Sequence, residues 1–371
     1  MVKYNKLQGG GFLNKYGLVL AGGGAKGAYQ LGAWQAMREL GIEFSVVAGV
    51  SIGSINGALI ASDCYEDAVS LWKNASVDRG ININEELRDP ENLFSFRNIP
   101  ALFKEIVKNG GIDASPTKEL LEEFIDEDKV RKSDIPFGMV TFQLSEFAPL
   151  EIFIDDIPEG ELHDYLLASS KVPGVNKIGP EGERYLDGGV YDNAPIGFLR
   201  KYGYNRLIVV DISSMKGLAH RQDMTCAETV YIRPYDLDDL GAAFDFSEEM
   251  LEKRMRMGYL DTRKTFGYLS GRRFYFEQPV FAEMVKEFGA DAVEQLEELA
   301  SEAGVDKMPI YNRNSFLACV KEKIEEFRKE QQQKEEESEQ RFYSALLKKL
   351  PKFNSDKEFS EALAVLDNIV V

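Results

Sequence analysis

Apolar residues fall along this chain in short unbroken runs separated by segments of helical period. Tyr16–Ala21 is such a run and stops at Gly22, Gly23 and Gly24, the pattern of a buried strand closed by a turn. Tyr29, Ala33, Ala36, Met37 and Leu40 then share one helical face, and Gly41 stands where that helix should end. A second buried strand, Phe44–Ala48, leads into Gly49. The small, apolar segment Ile52–Ser62 after it suits a helix packed tightly on a sheet. Strand, glycine-rich turn and helix, twice over, predicts a parallel α/β sheet.

The same reading predicts strands at Phe137–Leu144, Leu150–Ile154, Arg184–Leu186, Arg206–Ile212 and Thr229–Arg233. Helices are expected at Glu159–Ser170 and Pro195–Tyr202. Between Tyr65 and Asp134 the pattern is polar and helical, broken at Pro90, Pro100 and Gly110–Gly111, which reads as a helical insertion. Past Arg233 the chain turns helical at Phe246–Leu269, Phe281–Ala303 and the charged stretch Asn314–Leu347. The expected organisation is an α/β domain over about residues 1–270, with the insertion at about 65–134. A helical, charged region follows over 271–371. Within it, Gln331–Arg341 reads as a solvated helix face.

Composition narrows the function. With 44% apolar and 29% charged residues in 371, the chain can bury a full core. A net charge of −18 repels nucleic acid and anionic bilayers, so nucleic-acid binding is excluded and membrane contact is peripheral at most. The segment with Phe103, Ile106 and Val107 beside Lys104 and Lys108 is too small to claim as a membrane-binding helix. Cys64, Cys226 and Cys319 have neither metal-ligand nor redox spacing and read as reduced thiols. Met1–Lys15 lacks the apolar stretch of a leader, and no run approaches the roughly 20 apolar residues of a membrane span. The expected location is the cytoplasm. Nothing in the sequence calls for a metal or cofactor.

Three short motifs carry chemistry. Gly22-Gly23-Gly24-Ala25-Lys26-Gly27 lies between a strand and a helix, where successive amides can face one concavity at a helix N-terminus. That geometry serves a phosphate or an oxyanion. Gly22, Gly24 and Gly27 also satisfy the dinucleotide pattern, which keeps a nucleotide site open. A ribose-binding acid is nevertheless missing from the end of the second strand, where Gly49 and Ser51 stand. Gly49-Val50-Ser51-Ile52-Gly53 fits the sharp elbow that lifts a serine hydroxyl out of a sheet, with small neighbours because the backbone is crowded. Asp187-Gly188-Gly189 ends a short strand and offers a carboxylate, or else is an ordinary turn. An anion-holding loop, an exposed serine and a strand-end carboxylate together are the parts of an acyl-transfer site.

In that order the three motifs resemble those of the patatin-like phospholipases. Ala168-Ser169-Ser170, with Pro173 beyond, is similar to a weaker fourth block. The resemblance runs from about Tyr16 to Ile212 and is closest in character to bacterial, cytosolic members. It implies a three-layer α/β/α fold with a mainly parallel sheet, and hydrolysis of lipid or lysolipid acyl esters without a cofactor. It assigns Ser51 as nucleophile and Asp187 as base, with Gly22, Gly23, Gly24, Lys26 and Gly27 in the oxyanion loop. Lys26 would reinforce the loop or meet a lipid phosphate. Asn176-Lys177 departs from the family's apolar pattern, which bears on acyl-chain preference. An aspartate ionises near pH ~4, so burial is expected to raise the Asp187 pKa toward the working range.

A histidine triad is the weaker arrangement. His220 follows Ser51 and Asp187 in hydrolase order but stands in a loop-like segment, Met215–Asp223, and His163 is mid-helix. A catalytically silent scaffold working through the charged C-terminal helices is the remaining alternative.

Overall fold

The computed structural model describes residues 15–75, 115–143, 145–170, 185–213 and 228–335. In it the apolar runs become β1 (Tyr16–Leu20), β2 (Phe44–Val50), β3 (Phe137–Gln143), β4 (Ala148–Phe153), β5 (Tyr185–Asp187), β6 (Arg206–Val210) and β7 (Glu228–Ile232). They form one sheet in the order β4-β3-β2-β1-β6-β7, with β5 pairing to β3 off that path. The pairs β1–β2, β1–β6, β2–β3 and β6–β7 are parallel, while β4 and β5 run antiparallel to β3. β1 is buried along its whole length and β2 along nearly all of it, which is why their sequences run apolar rather than alternating.

Helices flank this sheet. α1 (Ala28–Glu39) and α2 (Ile52–Ala61) follow β1 and β2 directly, and Gly41, at φ +67°, closes the turn after α1 as expected. α3 (Tyr65–Asn74), α4 (Ser115–Phe124) and α5 (Glu127–Arg131) come from the predicted insertion. α6 (Leu162–Ser169) precedes β5, α7 (Ile196–Lys201) precedes β6, and α8 (Glu248–Thr265) comes last. The fold is thus a mostly parallel sheet between helices. Several sequence readings fall outside the described residues: the breaks at Pro90, Pro100 and Gly110–Gly111, Phe103–Lys108, Pro173–Lys177, Met215–Asp223 with His220, Cys226, and the end of the charged helix beyond residue 335.

The division into two compact units falls after Thr262, within α8, a few residues before the boundary expected near 270. The second unit is helical but not wholly so. Short strands β8 (Leu269–Ser270), β9 (Tyr275–Glu277) and β10 (Ile310–Tyr311) make a small sheet of their own. They are too short to show a period in sequence. The helix expected over Phe281–Ala303 is two helices, α9 (Gln278–Phe288) and α10 (Ala290–Glu302), broken at Gly289 with φ +87°. α11 (Arg313–Glu335) follows. Phe274, Phe276, Met284, Leu296 and Phe316 build this unit's core. Beside it the buried Glu297 carboxylate accepts the backbone N–H groups of Arg272, Arg273 and Phe274.

Candidate active site

Ser51 sits between β2 and α2 at φ 54° and ψ −129°, a conformation an L-residue adopts only under constraint. The constraint is the crowding that the two flanking glycines permit. A Cβ on Gly49 would stand 2.1 Å from the Gly53 carbonyl oxygen, and one on Gly53 would stand 2.3 Å from that of Leu20. Any larger residue at either place opens the elbow. The turn is also pinned from inside α2, where the Ser54 amide and hydroxyl both donate to the Ser51 carbonyl at 2.8 and 2.6 Å.

β3 brings the carboxylate to this serine. Val140 of β3 pairs with Val50, the last residue of β2, and the next residue, Thr141, pairs with Asp187 of β5. β4 occupies the other flank of β3 along the same stretch. β5 therefore continues the line of β2 past its end, and Asp187 arrives beside Ser51. The Ser51 hydroxyl hydrogen-bonds the Asp187 carboxylate, and the Gly189 amide donates to Asp187 Oδ1 at 2.7 Å. Burial outweighs both bonds and pushes the Asp187 pKa up to about 6. No lipid is needed for that rise.

The glycine-rich loop runs over the end of β1 and enters a short 3-10 turn at Gly24–Gly27. Of its amides, Gly22 donates to the Asn193 carbonyl, Ala25 to Ala243 and Lys26 to Gly23, and Gly27 lies within the 3-10 turn. The amides of Gly23 and Gly24 have no protein acceptor among the described residues and are the loop's available donors. Both residues are half-buried, whereas Gly22, Ala25, Lys26 and Gly27 are buried. Lys26 is only 6% exposed. Its pKa is lowered by burial and by the nearby Arg254 charge, with Asp238 acting in the opposite sense. The Lys26 side chain is thus buried, whereas Gly23 and Gly24 are partly exposed.

Tertiary contacts that motif spacing could not reveal support the site. The buried Ser169 hydroxyl donates to the Val140 carbonyl at 2.7 Å and accepts the Ser51 amide at 3.0 Å. A chain of buried amides holds the two ends of the glycine loop. Gln30 Nε2 donates to the Ala21 carbonyl, Asn56 Nδ2 donates to Gly27 and to Gln30 Oε1, and Trp72 Nε1 donates to Asn56 Oδ1. His163, by contrast, meets the Ile125 carbonyl at 2.8 Å through Nε2. Among the described residues no cluster of His, Cys, Asp and Glu is arranged to hold a metal ion, and no helix is long and apolar enough to cross a membrane. Cys64 and Cys319 are free thiols.

An elbow serine, a strand-end carboxylate and a glycine loop on a parallel α/β sheet describe a class of fold and site, and comparison with known proteins names it. Residues 18–200 match the family model of the patatin-like phospholipases, and this part of the chain belongs to that family. The chain is 31% identical over 209 residues to the patatin-like phospholipase domain-containing protein ZK370.4 of Caenorhabditis elegans, covering 55% of this chain and 14% of the relative. It is 28% identical over 200 residues to lysophospholipase nte1 of Aspergillus terreus, covering 54% of this chain and 12% of the relative. The chain therefore matches only a small part of these much longer proteins. Among solved structures, VipD from Legionella pneumophila aligns over 83% of this chain and 80% of its own, at 15% identity and a TM-score of 0.40.

Proposed function

We propose that this protein is a serine lipid acyl hydrolase of the phospholipase A or lysophospholipase kind, working through Ser51 and Asp187. The hydrogen bond from the strained elbow serine to a carboxylate with a pKa near 6 carries the reading. Such a carboxylate is mostly ionised at pH 7 and is a better base than an ordinary aspartate.

Asp187 takes the Ser51 hydroxyl proton as Oγ attacks the ester carbonyl. The carbonyl oxygen gains the negative charge, which the Gly23 and Gly24 amides stabilise more strongly than they do the neutral ester. Collapse breaks the acyl C–O bond, and the departing alkoxide receives its proton from Asp187. A water then gives its proton to Asp187, attacks the acyl-serine and releases the fatty acid, returning the proton to Ser51 Oγ. Each proton leaves and returns through one carboxylate, and no imidazole enters the cycle. The names of the relatives support a phospholipid or lysophospholipid as the ester. The net negative charge favours monomeric or zwitterionic lipid over an anionic surface, with any membrane contact peripheral. The free thiols of Cys64 and Cys319 agree with a reducing, cytoplasmic setting.

Hydrolysis of p-nitrophenyl esters of several chain lengths, and of lysophosphatidylcholine, by the wild type beside Ser51→Ala and Asp187→Asn tests the proposal. Activity in the wild type and its loss in both variants is the expected result. Hydrolysis persisting in Ser51→Ala, or an inactive wild type, overturns it.

A further inference from the structure

Asn193 lies four residues past Gly189, outside every motif that points to the chemistry, yet it touches both halves of the site. Its carbonyl accepts the Gly22 amide at 3.1 Å, and its Nδ2 donates back to the Gly22 carbonyl at 3.3 Å. The first residue of the glycine loop is thereby clasped by a single asparagine through main chain and side chain together. The carboxamide oxygen reaches further. A Cβ placed on Gly22 would stand 2.5 Å from Asn193 Oδ1 and 3.1 Å from the Ser51 Cβ. A Cβ placed on Gly189 would also stand 2.5 Å from Asn193 Oδ1, and 3.0 Å from Asp187 Oδ1. Gly22 and Gly189 thus lack side chains at the two places where the Asn193 carboxamide fits. That carboxamide occupies the space between the oxyanion loop, the nucleophile and the base.

We infer that Asn193 is a positioning residue that fixes the distance between the Gly22–Gly24 loop and the Ser51–Asp187 pair. The inference rests on the hydrolase reading above and adds to it a residue that neither the motif pattern nor that mechanism contains. Physically, the two parts of the site come from separate strand ends: the loop from β1, the carboxylate from β5. Each is held to its own strand by sheet pairing, but the sheet does not join Gly22 to the 187–189 turn. Asn193, hydrogen-bonded to Gly22 and packed against Gly189, bridges them. A donor loop free to drift by an ångström loses much of its stabilisation of the tetrahedral oxyanion while still admitting the ester. The signature is a loss in kcat without a matching change in KM. Charge offers a second, separate readout. Asn193→Asp keeps the shape, removes the Nδ2 donor and sets a second carboxylate beside Asp187, which favours the protonated form of the base.

The experiment compares wild type, Ser51→Ala, Asn193→Ala and Asn193→Asp by steady-state hydrolysis of p-nitrophenyl butyrate across pH, with a thermal melt of each. For Asn193→Ala, kcat is expected to fall about 100-fold, the order seen when one oxyanion donor is lost, with KM within about twofold. For Asn193→Asp, the acidic limb of the kcat profile is expected to move up by about one pH unit. Should Asn193→Ala not fold, the isosteric Asn193→Asp carries the test alone. An active wild type, a dead Ser51→Ala and an Asn193→Ala with kcat within about threefold of wild type would overturn this inference and leave the hydrolase reading standing. An unmoved acidic limb in Asn193→Asp would do the same. A wild type that hydrolyses no ester overturns both.

Discussion

The backbone amide of Ser51 is bound, at 3.0 Å, by the hydroxyl of Ser169, a residue on a different helix that also donates to Val140 of β3. One buried hydroxyl therefore ties the elbow, the end of α6 and β3, the strand to which β5 and its Asp187 pair, into a single unit. It also withdraws the Ser51 amide from the donors open to an oxyanion.

Ser169→Ala removes this tie without adding volume. The Ser51 amide loses its acceptor and the strained elbow loses a restraint, a change worth about 1–3 kcal/mol. Expected is a fall in kcat of about 10-fold or more with KM little changed, read from steady-state kinetics. Ser169→Thr, which keeps the hydroxyl, should recover part of the loss. Equal kcat in Ser169→Ala and wild type would assign the hydroxyl no part in holding Ser51.

The pH dependence follows from Asp187. Because its pKa is raised to about 6, the ionised base is lost as pH falls through that value. The kcat profile should therefore show an acidic limb near pH 6, with activity dropping about tenfold per unit below it. An acidic limb near the ordinary aspartate value of ~4 would contradict the burial argument.

Stability should respond in the opposite sense. The folded-state pKa of Asp187 lies above its unfolded value of 3.8, so the folded protein binds the proton more tightly, and this group's contribution is lost as pH rises from about 4 through about 6. Asp187→Asn cannot ionise and escapes that loss. The variant is expected to be inactive yet more stable than wild type at pH 8, by at most about 3 kcal/mol, with the gain vanishing near pH 4. Urea unfolding at the two pH values measures it.

Arg254 of α8 is fully buried and spends its guanidinium on main-chain carbonyls, those of Leu240, Ala242 and Asp245 and that of Ala25 in the glycine loop. The Ala243 carbonyl from the same turn accepts the Ala25 amide. Arg254→Met would leave several buried acceptors unsatisfied and should destabilise the protein by roughly 3–5 kcal/mol, with a lower kcat in whatever remains folded. Chemical denaturation checks the first effect and ester hydrolysis the second.

What could be read in advance was local. The glycine loop, the elbow and Asp187-Gly188-Gly189 declare themselves because each needs particular small residues at fixed spacing within a single turn. Long buried strands such as β2 and β6 are equally plain, since burial on both faces leaves an unbroken apolar run. Asn193 and Arg254 are different in kind, as are the contacts of Ser169, a residue the weaker fourth block marks without showing what it binds. Their partners lie far away in sequence, and an asparagine or buried arginine looks the same in a string whether it clasps a loop or caps a turn. Fine divisions were lost for a related reason. Gly289 interrupts a helix whose apolar spacing continues on both sides, and two-residue strands such as β8 carry no period to detect.

The pairing of β3 has one more consequence. Ser51 and Asp187, the proposed nucleophile and base, are neighbours only because adjacent residues of one strand, Val140 and Thr141, receive two different strands end to end. The lengths of chain that join those strands have no say in the distance between the two groups. Segments inserted on either side of β3 are thus free to diverge in length and composition, reshaping what the site admits while its reacting atoms stay where they are. The vulnerable point is β5, three residues long, where a slip of one place would present Leu186 or Gly188 to the serine and silence the protein with its fold intact.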